Sequence, residues 1–197
     1  SSSRRTVIRG RTSTGTRIRA SPPRPDHRSV PPRELTATHH FAAAADAVID
    51  VLATEDAVLA RYEGMGHRDV EVQRIDRDDG TLTVVSRRVV EVDLPGFARK
   101  VLQPTNTMTQ TDAWAKDPDG WTGTFDVAVA GAPVQLSGKM RLADATGGSD
   151  YTVTLTMNVK VPLVGGKIAD WVGKNDALTT LRAEFAATDA WLADHPA

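Results

Sequence analysis

The chain contains no cysteine and no long uninterrupted apolar run, and its first 32 residues hold almost nothing that could be buried. Lack of cysteine excludes disulfides and thiolate metal sites and favours a cytoplasmic protein. No stretch reaches about 18 apolar residues, so no transmembrane segment is expected. The 197 residues, 25% of them charged, suffice for one domain carrying a tail.

The net charge of −1 conceals two unlike parts. Nine of the 24 basic residues but one of the 25 acids, Asp26, fall within residues 1–33, leaving 15 basic against 24 acidic beyond. Residues 1–32 are rich in Arg, Ser, Thr and Pro, with few apolar residues beyond Val7, Ile8, Ile18 and Val30. Such a segment cannot bury enough surface to offset its ordering entropy, so a disordered tail (1–32) preceding one domain (33–197) is expected. It is read as an unstructured extension or as sequence upstream of the native start. Ser3-Arg4-Arg5-Thr6-Val7-Ile8-Arg9 is similar to a twin-arginine export signal, but the polar residues 10–24 follow where an apolar stretch is needed. The arginines suit weak, nonspecific anion binding by counterion release. With no aromatic residue in the tail to stack a base, sequence-specific nucleic-acid binding is not expected.

Beyond the tail, 34–41 alternates apolar and polar residues as a strand does. Residues 42–52 are Ala-rich, with Val48, Ile49 and Leu52 at helical spacing, and Thr54-Glu55-Asp56 predicts an N-cap opening a second short helix stopped by Gly64-Met65-Gly66. Period two then governs 67–76, 81–92, 105–115, 121–129, 134–142 and 151–161, separated by Gly- and Pro-containing turns. In the last of these, Tyr151, Val153, Leu155, Met157, Val159 and Val161 oppose a wet face of Thr152, Thr154, Thr156, Asn158 and Lys160. One dry and one wet face suits an antiparallel sheet covered on a single side. From Gly165 to Leu192, apolar residues including Ile168, Trp171, Val172, Leu178, Leu181 and Phe185 recur at helical spacing. Roughly 28 helical residues span about 42 Å, enough to cross the sheet. The pattern predicts an α+β fold: a seven-stranded curved antiparallel sheet wrapped around a long C-terminal helix, with two short helices between strands 1 and 2.

This order of elements, with the Pro162-Leu163-Val164-Gly165-Gly166-Lys167 lead-in to the last helix and the Asp93-Leu94-Pro95-Gly96-Phe97 link, resembles the START-like, helix-grip (SRPBCC) superfamily. Within it, the chain looks like an uncharacterised bacterial branch, the domain of unknown function 2505 family. The resemblance implies a cavity between sheet and helix for an apolar ligand, with Leu94 and Phe97 in a lid at its mouth; as a plain connector the link is equally well explained.

The residues themselves offer cavity candidates. Small inward residues (Gly123, Gly138, Ala37, Ser86) stand beside the large Met108, Trp114, Phe125, Met140 and Met157. Arg88 shares the inward phase of its strand with Leu82 and Val84, His39 with Leu35 and Phe41, and Gln110 and Asp112 with Met108 and Trp114. A buried Arg needs an acid, from the protein or from a ligand. These polar residues are read as an anchor in the cavity, or else as the result of a bulge that shifts the strand phase or of a structural Arg88–Asp112 pair at the sheet's end. Gly165, Gly166 and Gly173 in the first half of the long helix are read as serving close packing or as leaving room for a guest; in the second case Gly166 and Trp171 meet the ligand there, while Leu178, Leu181, Phe185 and Leu192 are expected to form solid core.

No metal site or cofactor is called for. His39 and His40 are adjacent on a strand and point oppositely, and Gly165-Gly166-Lys167-Ile168 lacks the spacing of a phosphate loop. Three functions remain open: binding of a hydrophobic small molecule, lipid-like or polycyclic; an enzyme of cyclase, aromatase or hydrolase type using the same cavity; and an interaction protein with a filled core. No acid, base and oxyanion donor stand in recognisable spacing, which weighs against the enzyme.

Overall fold

The computed structural model describes residues 33–161, 164–175 and 177–195. The tail 1–32 and Pro162, Leu163 and Asp176 lie outside them. The chain runs β1 (Arg33–Phe41), α1 (Ala45–Leu52), α2 (Glu55–Gly64), β2 (Arg68–Asp78), β3 (Thr81–Glu91), β4 (Thr105–Asp117), β5 (Gly120–Val129), β6 (Val134–Ala145), β7 (Gly148–Val159), α3 (Gly165–Asn175) and α4 (Ala177–Asp194). The C-terminal helical region is thus described as two spans flanking position 176.

All seven strands form one antiparallel sheet in the order β1-β7-β6-β5-β4-β3-β2, with β1 and β2 at its edges. Tight turns join β2 to β3 and successive strands from β4 onward; at Gly80, between β2 and β3, and at Gly120, opening β5, the backbone takes φ of 76° and 136°, where a side chain would be strained. The dry face of β7 carries the buried Val153, Leu155, Met157 and Val159. Its wet face is laced to β1 by hydroxyl pairs, Thr36–Thr154 at 3.2 Å and Thr38–Thr152 at 3.1 Å. Alternation in the sequence therefore reports the covered side.

Helix α1 is pinned to the far ends of the strands. The Ala45 amide donates to Asp144 (2.8 Å), Trp121 Nε1 donates to Asp46 (2.7 Å), and Lys116 Nζ reaches the same carboxylate at 2.8 Å. These hydrogen bonds hold the Asp46 carboxyl below the usual carboxylate range. Thr54 differs from expectation: its backbone is extended as an N-cap's should be, but its hydroxyl donates back to the Asp50 carbonyl at 2.8 Å and caps nothing. The preceding helix ends so close to the next that its own last turn captures the hydroxyl.

The interior divides in two. A main cluster joins α1, α2 and α4 to the sheet through Phe41, Val48, Ile49, Val58, Tyr62, Leu82, Trp114, Trp121 and Phe185, among others. A smaller one packs Leu94, Ala98 and Leu102 of the β3–β4 link on Met157, Val159, Ile168 and Ala169. The first half of the helical region departs from expectation, since α3 packs into the smaller cluster, whereas Phe185 of α4 lies in the main core with Leu181 and Leu192 packed against it. Ile168 and Ala169 of α3 are fully enclosed, and a Cβ on Gly165 would sit 2.8 Å from the Val159 carbonyl, so its glycine serves close packing. On α4 Phe185 and Thr188 are buried, and Leu178, Leu181 and Leu192 are partly buried.

Candidate functional site

A cavity of about 380 Å³ lies between the sheet's dry face and α4. Its floor is built by Trp114, Phe125, Met140, Tyr151, Val153 and Leu155, and its roof by Leu181, Glu184, Phe185 and neighbours on α4. Among its lining residues Gly66, Glu91 and Thr179 are exposed, so the opening lies where the α2–β2 turn, the end of β3 and the start of α4 meet.

Register explains the floor. Trp114 pairs across the sheet with Gly123, and Phe125 with Gly138. A Cβ on Gly123 would fall 2.8 Å from the Trp114 ring, and one on Gly138 2.3 Å from the Phe125 ring. These two glycines seat aromatic rings. The small inward residues thus make room for the floor itself, and the free volume lies above it.

Opposite the apolar floor stands a polar end. Arg88, only 4% exposed, donates from Nη2 to Gln110 Oε1 at 2.7 Å and makes a longer Nη1 contact with Ser86 Oγ at 3.5 Å. Gln110 Nε2 in turn donates to Asp112 at 2.8 Å. The amide therefore bridges guanidinium and carboxylate, which form no ion pair within 4 Å among the described residues. Tyr62 organises this end from α2. The Arg88 guanidinium lies 3.9 Å from its ring centroid, that of Arg61 lies 4.8 Å away, and the His67 ring stacks on it at 5.7 Å. Arg61 is 9% exposed and makes no hydrogen bond or ion pair among the described residues. The Nε atoms of Arg61 and Arg88, Tyr62 Oη and His67 Nδ1 are all buried without a partner.

Burial governs the acid–base behaviour here. It raises Asp112 to about 6, against the lowering effects of Gln110 and Arg61. Burial, with the Arg88 charge, drives His67 down to about 4, so its imidazole is neutral at pH 7. Burial also pushes the Tyr151 phenol well up, helped by the Asp112 charge, and its hydroxyl points at Met140 Sδ, 3.2 Å away. Tyr62 Oη is enclosed with no acceptor, so Tyr62→Phe is expected to leave stability unchanged or raise it by about 1 kcal/mol. A urea titration showing a loss of stability would mean that the hydroxyl has a partner.

The cavity brings together Arg88, Met108, Gln110, Asp112, Trp114, Phe125, Met140 and Met157. It does not include His39, Gly166 or Trp171. His39 stacks on the outer side of Phe185 (5.2 Å) and its Nε2 meets Asp189 at 2.7 Å, so it ties β1 to α4 behind the roof. Gly166 and Trp171 lie on α3, from which only Val172 reaches the cavity. Leu94 is buried in the smaller cluster and Phe97 is 39% exposed; neither borders the cavity, whose lining on this side stops at Val92. Sequence reasoning missed Arg61, His67, Tyr151 and Glu184. Tyr151 was legible, being in phase with Val153 on β7. Arg61 and Glu184 sit at helix positions that read as solvent-facing, and only the packing of α2 against α4 encloses them.

A curved antiparallel sheet gripping a C-terminal helix over an internal cavity defines a helix-grip protein. Within that class the chain belongs to the family described as "Protein of unknown function (DUF2505)", which matches residues 36–192. An uncharacterized protein of Mycobacterium tuberculosis is 28% identical over 123 residues, 60% of this chain and 70% of the relative. Among solved structures, TTHA0849 from Thermus thermophilus superposes with a TM-score of 0.59 at 14% identity, over 84% of this chain and all of that one. The Zhui aromatase/cyclase from Streptomyces sp. R1128 gives 0.55 at 19% identity, over 84% and 97%. At these identities the likeness is one of fold.

Proposed function

We propose that this protein binds one hydrophobic small molecule, lipid-like or polycyclic, in the cavity between the sheet and α4. The observation that carries the reading is the cavity itself. At about 380 Å³ it exceeds the low end for ligand sites, roughly 300 Å³. Its wall combines an extended apolar floor with a few convergent polar groups, the make-up of a small-molecule site. A filled core, which the interaction-protein reading requires, does not fit that volume. Native mass spectrometry of the full chain purified from its own host tests the proposal. A bound species above the bare mass, or thermal stabilisation by members of a lipid and polycyclic library, is expected. A clean bare mass with no stabilisation by any member would overturn it.

A second reading, an enzyme of cyclase or aromatase kind, draws on one observation: Asp112, in the cavity wall, is poised near pH 6, close to where general acid–base catalysis operates. That one protein of similar fold is an aromatase/cyclase is compatible with it. Under this reading, Asp112→Asn abolishes turnover of a cavity substrate while leaving its affinity intact.

A further inference from the structure

The strongest unexplained feature of the cavity is a pair of cations. Arg61 and Arg88 are both more than nine-tenths buried, both border the cavity, and both lean on the one Tyr62 ring. Burying a guanidinium is costly unless its donors are met, by an acid above all. Arg88 places donors on Gln110 and Ser86, both neutral, and keeps Nε without a partner. Arg61 has no hydrogen-bond acceptor at all among the described residues. Tyr62, Glu184 and Asp112 act on Arg61 through space and together outweigh its burial, yet neither carboxylate comes within 4 Å of either guanidinium.

We propose, resting on the small-molecule reading above, that the ligand is an organic acid: an apolar body on the Trp114–Phe125–Met140 floor, with one carboxylate between Arg61 and Arg88. Several features fit such a group. Guanidinium donors lie in a plane that matches a carboxylate, and bonds to an ionised oxygen are about twice as strong as neutral ones. Tyr62 holds both forks by cation–π contact, so little side-chain entropy remains to be lost on binding. His67, neutral at pH 7, offers an Nδ1 without a partner beside them and adds no competing charge. A monoanion suits the site better than a phosphate, because Asp112 and Glu184 in the same wall disfavour a second negative charge.

Matched pairs differing only in the head group test this on the full chain. We would titrate 1-pyrenebutyrate against 1-pyrenebutanol, and dodecanoate against 1-dodecanol, by calorimetry at pH 7.5; the two bodies separate a polycyclic from an aliphatic acid. At least one acid is expected to bind about tenfold or more tighter than its alcohol, the scale of a charge-assisted pair. In Arg61→Met and Arg88→Met the ratio of acid to alcohol affinity should shrink to under about threefold. Arg61→Met removes no hydrogen bond found among the described residues and replaces a buried ion by an apolar side chain, so it is expected to fold. The wild-type comparison needs no variant. Equal affinity for acid and alcohol would overturn the acid class while leaving the cavity as a binding site. Failure of both bodies to bind in either form would overturn the small-molecule reading, and the acid with it.

Discussion

Gly138→Ala is expected to destabilise the protein by about 3 kcal/mol, the upper end for overpacking a core. The new methyl would lie 2.3 Å from Phe125 Cε1, 2.5 Å from its Cζ and 2.3 Å from the Thr154 carbonyl oxygen. The ring can yield only by swinging into the cavity, and the carbonyl belongs to the β6–β7 ladder, where Gly138 pairs with Leu155. Relief of the first clash consumes cavity volume; relief of the second strains the sheet. Ligand capacity should therefore fall together with stability. Gly64→Ala is the matching control. It ends α2 in open space, with nothing within 4 Å, and is expected to gain about 0.5–1 kcal/mol by restricting the unfolded chain. Urea titrations of the two variants check both signs. A loss under about 1 kcal/mol at Gly138 would show that Phe125 has somewhere else to go.

The second large effect concerns pH. The Asp112 carboxyl sits at about 6 in the folded protein against an ordinary 3.8, so between those values the folded chain holds a proton that the unfolded chain has released. Its contribution to stability is full below about pH 4 and is lost as pH rises through 6. His67 behaves oppositely. Its folded value of about 4 against 6.5 means that the unfolded chain binds the extra proton, so its contribution is full above 6.5 and lost as pH falls toward 4. Each effect is worth about 1–3 kcal/mol, and in the wild type they offset each other over one pH window. Removing either should expose the other. In Asp112→Asn, stability is expected to rise between pH 4 and 6.5; in His67→Gln, it is expected to fall. Carboxylates such as Asp46, held low by Lys116 and Trp121, lose stability only in more acid solution and do so equally in all three proteins. Denaturant midpoints at pH 4, 5, 6 and 7 give the answer. Parallel profiles for the three would show that these groups are more open to water than their surroundings imply.

Much of the site was legible in the chain's periodicity. Period two put Met108, Gln110, Asp112 and Trp114 on one face of β4, and put Arg88 on the matching face of β3, because a strand offers its side chains only two directions. The structure pairs Ser86 with Gln110 and Arg88 with Met108 across those strands, as a shared inward face requires. Illegible were the contributions of the helices. Arg61 precedes Tyr62 on a ten-residue helix with little amphipathic contrast, and Glu184 occupies a position on α4 that an isolated helix would show to water. A helix gripped by a curved sheet and touched by α1 and α2 is covered over far more than one stripe.

The sequence by itself determined the order of elements, the antiparallel sheet, its dry face and the amphipathic C-terminal helical region, because all of these follow from local periodicity and turn chemistry. Only the tertiary structure decided which half of that region bounds the cavity. It placed α3 on the β3–β4 link, set α4 over the aromatic floor and moved His39 behind Phe185. It also drew Arg61 and Arg88 onto one Tyr62 ring. Period fixes which way a side chain points from its own element. What it meets there depends on sheet curvature and on contacts between residues far apart in the chain, which no local pattern encodes.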